Sequence, residues 1–164
     1  MHPNFSSPTR IEPATPADLD TVHGLIRDYF AYDHIPFDAE AVRAGLARLI
    51  GEPTLGWALV MRDADRGIAG YAIVSLGVDL EFGGRTATVT DLYFRPERRR
   101  MGLGMTMLRH IEARCLAEGI AAMELLVERD NHEAQGLYAK FGFTPHDRIP
   151  MSKRLVGKES ASST

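Results

Sequence analysis

The chain has 164 residues, 45% of them hydrophobic and 25% charged, with a formal net charge of -3. That length fits one domain with a substantial core, and the charge argues against the broad basic surface of a nucleic-acid-binding protein. Cys115 is the only cysteine, which excludes an internal disulfide and a Cys/His metal site.

From the N-terminus, Met1 to Pro8 is polar and lacks the apolar segment of a secretory leader. No apolar run approaches a membrane span, so a cytoplasmic location without a membrane partner is expected. Arg10 to Pro13 reads as a short first strand. Thr15-Pro16 opens a helix, with the threonine as N-cap and the proline as first helical residue. Leu19, Val22, Leu25, Ile26 and Tyr29 mark its buried face. Ile35-Pro36 breaks the pattern, and a second helix is predicted from Asp38 to Leu49, with Val42, Leu46 and Leu49 inward. Trp57 to Met61 reads as a strand, Asp63 to Gly67 as a turn and Ile68 to Phe82 as the return strand. Gly83-Gly84 is a hairpin signal leading into a strand that ends at Phe94.

A long helix is predicted from Gly102 to about Glu118, closed by Gly119, with Leu103, Met107, Leu108, Ile111 and Cys115 on its apolar stripe. Cys115 is therefore expected to be a buried, inert thiol. Ala122 to Val127 suits a strand covered on both faces. Asp130 or Asn131 caps a further helix that Gly142 ends, with Gly136 inside it at a cost of about 1 kcal/mol relative to alanine. Phe143 to Leu155 is expected to give one or two last strands, and Val156 to Thr164 a frayed tail. This order implies an α+β fold: a single mixed, mainly antiparallel sheet flanked by helices. One domain is expected over residues 1–155, with a tail over 156–164.

The most informative segment runs from Arg99 to Gly104, Arg-Arg-Met-Gly-Leu-Gly, between a strand and a helix start. Free N–H groups point out of a helix N-terminus, and the helix dipole favours negative charge there. Gly102 and Gly104 remove side chains that would block a close-lying phosphate, and Arg98, Arg99 and Arg100 add positive charge at the rim. The dinucleotide fingerprint fails because Met107 stands where a third glycine is needed, and no Gly-Lys-Ser/Thr triplet exists for a nucleotide P-loop.

The pattern Arg-x-x-Gly-x-Gly after Asp-Leu-Tyr-Phe resembles the coenzyme A loop of the GNAT superfamily of N-acetyltransferases. Asn131, Ala134, Leu137, Tyr138, Gly142 and Phe143 resemble the second cofactor-side helix of that family and the strand after it. The resemblance covers Gly67 to Leu155. It implies acetyl-CoA as acyl donor, held at its diphosphate by Arg99, Arg100, Met101, Gly102, Leu103, Gly104 and Met105. Its pantetheine would add like a strand to the backbone of Leu92, Tyr93 and Phe94, and Asn131 would bond its amide. Tyr138 matches the general acid of the family, with a core aromatic as the other possibility. Asp91, just before the cofactor strand, is the first candidate base and Glu81 the second. Thr90 stands where some members carry a glutamate. A hydrogen-bonded structural carboxylate is the alternative for Asp91, and a solvated hairpin residue for Glu81. No metal is called for.

The acceptor side is expected from the first two helices and the Gly83-Gly84 hairpin, where Tyr29, Tyr32, His34, Phe37 and Glu81 would suit a cationic amine. A small primary amine, polyamine or amino-acid-like, is the favoured acceptor. A protein lysine or N-terminal amine is an alternative, as is a non-catalytic acyl-CoA sensor. The resemblance also implies a homodimer paired through the last strands, for which Ile149 to Leu155 has the alternation.

Overall fold

The computed structural model describes residues 9–156; Met1 to Pro8 and nearly all of the expected tail lie outside the described residues. A five-stranded sheet has the order β1 (Arg10–Pro13), β2 (Gly56–Arg62), β3 (Ile68–Asp79), β4 (Gly84–Phe94), β5 (Ala122–Leu125). Neighbours are antiparallel except β4 and β5, which run parallel. The helices are α1 (Leu19–Tyr32), α2 (Ala39–Gly51), α3 (Leu103–Ala117) and α4 (His132–Phe141). This is the α+β arrangement predicted from the sequence.

Local chemistry starts and stops these elements where the sequence indicates. Thr15 donates its N–H to Asp18 Oδ2 at 2.8 Å, and Pro16 opens a short 3-10 turn ahead of α1. Asp38 caps α2 by accepting the Ala41 N–H at 3.1 Å. Arg62, at the end of β2, spans both carboxylate oxygens of Asp18 at 2.8 Å and pairs with Glu12, clamping β1 and β2 to the entry of α1.

Side-chain alternation divides the core between the two faces of the sheet. Trp57, Leu59, Met61, Ala72, Val74, Ala87 and Val89 pack against Met107, Ile111 and Cys115 of α3. Ala58, Val60 and Tyr71 pack on the other face against Val22, Leu25 and Ile26 of α1 and Leu46 of α2. One irregularity in β4 breaks the alternation. Val89 pairs with Val74 but Asp91 with Ile73, so Thr90 is an extra residue, a β-bulge. Ala87 and Val89 therefore point toward α3, whereas beyond the bulge Leu92 and Phe94 do so and Tyr93 joins the α1 face.

Three expectations are corrected. β5 ends at Leu125, not Val127, and is half-buried rather than covered on both faces, with Leu126 beyond it exposed. β3 ends at Asp79, not Phe82, because Asp79 Oδ1 accepts the Glu81 N–H at 2.8 Å and the chain turns, with Gly83 at φ 72°. The last strands expected over Phe143 to Leu155 are absent among the described residues, where the backbone after α4 is irregular. Pro145 and Pro150 each lack an amide donor, and Pro150 splits the alternating apolar residues into pieces too short to pair. Ile149, Met151 and Leu155 are consequently exposed.

Helical Gly136 has open space around a built Cβ, whereas a Cβ at Gly70 would lie 2.5 Å from the Tyr93 carbonyl oxygen. Gly136→Ala should stabilise the fold by about 1 kcal/mol, whereas Gly70→Ala should destabilise it by about 2 kcal/mol. Urea unfolding of the two variants gives both signs.

Candidate active site

The parallel strands part company early. β4 pairs with β5 only from Thr86 to Val89, then continues alone on that side to Phe94. Arg95 donates its N–H to the Ala69 carbonyl of β3 at 2.9 Å. In the antiparallel alternation this turns the main-chain groups of Tyr93 toward β3 and those of Leu92 and Phe94 toward the opened side. A crevice results, bordered by the N-terminus of α3; along it the groups of Leu92 and the N–H of Phe94 have no main-chain partner among the described residues, while the Phe94 carbonyl accepts from Arg99.

That N-terminus has the geometry of an anion cradle. Gly102 takes φ 75° as N-cap, and Arg100 also has positive φ, 59°. The first main-chain donor to a Gly102 acceptor is Thr106 at 3.2 Å, so the N–H groups of Leu103, Gly104 and Met105 have no main-chain partner among the described residues. A Cβ at Gly102 would meet nothing within 4 Å. Gly104 differs: its Cβ would lie 2.9 Å from Leu137 Cδ2, so this glycine also lets α3 and α4 close on each other.

The arginines do not form the common rim read from the sequence. Arg98 is paired with Asp63 at 2.7 Å. Arg99 donates from Nε to the Phe94 carbonyl at 3.1 Å, and its guanidinium lies over Tyr32 and Tyr93, 4.9 and 5.2 Å from their ring centres. Arg100 is exposed and has no ion-pair partner among the described residues.

Across the sheet, the bulge puts Asp91 beside Tyr71, whose hydroxyl donates to Asp91 Oδ2 at 3.0 Å. Burial raises the Asp91 pKa above the usual carboxylate value of 3.8; the Tyr71 hydrogen bond opposes the rise and the charge of Asp33 adds to it. Burial, followed by the charges of Asp33 and Asp91, holds the Tyr29 phenol well above its ordinary value. Tyr138 on α4 is raised for the same reasons, burial first and Asp33 second. Asp91, Asp33, Tyr29, Tyr71 and Tyr138 thus form one electrostatically connected group, while Tyr93 lies 5.9 Å from Tyr29 and 6.2 Å from Tyr71 between ring centres.

Other sequence candidates stand elsewhere. Glu81 is on the hairpin turn, ion-paired with Arg148 at 2.7 Å. Phe37 packs against Phe30 and His23, and His34 is exposed at φ 55°. Asn131 Oδ1 caps α4 by accepting the Ala134 N–H at 3.1 Å, leaving its Nδ2 as a donor. Cys115 is buried and its pKa is pushed up to about 11, which keeps it a thiol. Tyr71 and Asp33 have no signal in the sequence. Tyr71 reaches Asp91 only through strand register and the bulge, and Asp33 only through the end of α1.

The sequence pattern of the Acetyltransferase (GNAT) family matches residues 19–143. Over 97 residues the chain is 31% identical to a proposed ribosomal-protein alanine N-acetyltransferase of Bacillus subtilis, covering 59% of each chain. Over 101 residues it is 32% identical to an L-methionine sulfoximine/L-methionine sulfone acetyltransferase of Pseudomonas aeruginosa, covering 61% of this chain and 58% of that one. Both matches span less than two thirds of the relative's length. The solved structure of a possible acetyltransferase from Clostridium difficile 630 shares the fold, with a TM-score of 0.80 at 19% identity over 91% of this chain and 99% of that one.

Asp91 gives an internal check on this electrostatic arrangement. Tyr71→Phe removes the bond that favours the carboxylate and should raise the Asp91 pKa further; Asp33→Asn removes a like charge and should lower it. Carboxyl-carbon NMR titration reads the two opposite displacements.

Proposed function

The chain belongs to the GNAT acetyltransferase family, and on that premise we propose that it transfers an acetyl group from acetyl-CoA to a primary amine of a small molecule. The observation that carries this reading is the open edge of β4 beside the unpaired N–H groups of Leu103, Gly104 and Met105. These groups fit the coenzyme: the helix end binds the diphosphate, with Arg100 at its rim, and Leu92 and the Phe94 N–H offer edge groups to the pantetheine, the Phe94 carbonyl being held by Arg99. Asn131 Nδ2 is a further amide-binding donor. The bound thioester supplies an activated acetyl carbonyl.

The residues of the chain manage the protons. An alkyl amine of pKa near 10.4 costs about 4.6 kcal/mol to deprotonate at pH 7, and an α-amine near 8 about 1.4 kcal/mol. Asp91 Oδ accepts that proton, directly or through a water. Its raised pKa makes it a stronger base than an ordinary carboxylate. Tyr138 stays protonated at neutral pH, because burial and Asp33 both oppose the phenolate, and so holds a proton for the departing thiolate. Glu81, engaged by Arg148, takes no part in this scheme.

A peptide N-terminal amine is the second reading, favoured by the Bacillus relative; competition between small amines and peptides for thiol release separates the two. Pairing of two chains is also proposed. It is supported by exposed Ile149, Met151 and Leu155 and by the outer edge of β5, unpaired among the described residues. No helix among the described residues is long and apolar enough to cross a membrane.

Gly102 offers a clean test of the cradle, because asparagine and aspartate both tolerate positive φ and differ in charge. Gly102→Asp should weaken acetyl-CoA binding about tenfold or more relative to Gly102→Asn in calorimetry, with similar thermal stability. The proton path has its own signature. The base must be ionised, so kcat/KM should fall as pH drops through the raised Asp91 pKa. Asp91→Asn should lower the rate at pH 7 by about a hundredfold, lose that acidic limb, and recover at alkaline pH where the amine deprotonates unaided.

A further inference from the structure

We propose, resting on the acetyl-transfer reading above, that Tyr71 is a positioning residue: its hydroxyl holds Asp91 by Oδ2 so that Oδ1 meets the acceptor nitrogen as the proton leaves. Strand register sets up this pair. Asp91 stands opposite Ile73, and Tyr71 lies two residues away on the same face of β3, the diagonal that a long aromatic side chain spans. The phenol reaches Oδ2 at 3.0 Å. Its ring is fully buried in the cluster that holds Val22, Leu25 and Ile26 of α1 and Tyr93 of β4. A ring held on all sides cannot swing to follow the carboxylate, so the carboxylate is fixed to the ring.

Packing alone does not call for this hydroxyl. A phenylalanine would fill nearly the same space, and a buried phenol costs desolvation unless it finds an acceptor. What the hydroxyl adds is direction. A carboxylate turning about its Cβ–Cγ bond presents its oxygens over a range of angles, and one fixed donor removes that freedom; a displacement of about 1 Å near reacting atoms costs about a hundredfold in rate. The donor is also neutral. None of the ion pairs among the described residues involves Asp91. An arginine in that place would orient the carboxylate at a larger loss of basicity. Burial first, then the charge of Asp91, holds the Tyr71 phenol far above its ordinary pKa, so it stays a donor at neutral pH. The other groups facing Asp91 are Tyr29 and Asp33 from α1 and Thr90 and Tyr93 on its own strand, with Tyr138 of α4 beyond Tyr29. Thr90 favours the anion but also donates its hydroxyl to the Ile73 carbonyl at 3.4 Å.

Tyr71→Phe separates direction from acidity. Loss of the bond raises the Asp91 pKa, and a stronger base alone would raise the plateau rate above the acidic limb; loss of direction lowers it. The assay is thiol release from acetyl-CoA, with the fastest of phenylalaninamide, methionine and spermidine as acceptor. On the plateau kcat should fall about tenfold or more, while acceptor KM and acetyl-CoA affinity stay within about twofold and the acidic limb moves to higher pH. In an Asp91→Asn background the same substitution should change the rate by less than about twofold. Urea unfolding verifies that each variant is folded. A second measurement needs no substitution: in carbon NMR of the unaltered protein, the Tyr71 ring carbon bearing the hydroxyl should titrate together with the Asp91 carboxyl carbon. A plateau that is unchanged or raised in Tyr71→Phe would overturn the proposal. So would an equal loss in the Asp91→Asn background, or a Tyr71 carbon indifferent to the Asp91 titration. Failure of the unaltered protein to bind acetyl-CoA would instead strike the acetyl-transfer reading beneath it.

Discussion

The single extra residue at Thr90 in β4 is the constraint on which the site depends. A strand presents alternate residues to opposite faces, and one inserted residue exchanges the faces for everything beyond it. Before the bulge, Ala87 and Val89 serve the α3 core; after it, Leu92 and Phe94 do, and Tyr93 turns to the α1 side. In a regular strand, Asp91 and Tyr93 would continue the face of Ala87 and Val89. Asp91 would then lie beneath α3 among apolar residues, away from Tyr71, and the aromatic floor would lose Tyr93. The bulge comes where β5 has already stopped pairing, so the same short stretch of β4 both opens an edge and re-aims its side chains.

The two functions attributed to the crevice use different physics on opposite sides of the sheet. Diphosphate binding is assigned to main-chain dipoles at a helix end, where a glycine with positive φ lets the chain enter α3. Acceptor chemistry is assigned to side chains: a shielded carboxylate and the phenols around it. Separating them leaves the coenzyme and acceptor charges independently adjustable. The carboxylate weakens the fold. With its pKa raised in the fold, Asp91 contributes stability below the ordinary carboxylate value, and that stability is lost as pH rises through the raised one. At neutral pH the ionised form is thus a destabilising group retained where proton transfer is proposed, a familiar compromise between stability and activity.

Glycines at comparable sequence positions have unlike duties. Gly102 provides a backbone conformation and open space, Gly104 relieves contact with Leu137, and Gly70 allows β3 to approach Tyr93 and Phe94. Only the first is explained by a turn-and-helix pattern. The other two depend on which elements pack together.

Much of the architecture is legible in the chain because it is governed by neighbours within a few residues. Thr15-Pro16, Asp38, Gly102, Asn131 and Gly142 mark helix ends through capping and positive φ, and apolar spacing marks the buried faces of α1 and α3. The paired motifs around Gly102 and Tyr138 likewise identify the family. Two outcomes were decided only by tertiary structure, and a third turns on two prolines that apolar alternation alone overlooks. Tyr71 and Asp33 join Asp91 through strand register, a bulge and the end of a helix, none of which has a local signature. Arg99 turns to the α1 face because two tyrosine rings and the Phe94 carbonyl compete successfully with solvent for its guanidinium. Phe143 to Leu155 has strand-like alternation, yet a strand needs a partner for its amides, and two prolines deny it a continuous row of donors. Periodicity records which side of a segment prefers burial; only the folded chain decides which groups from distant segments meet there.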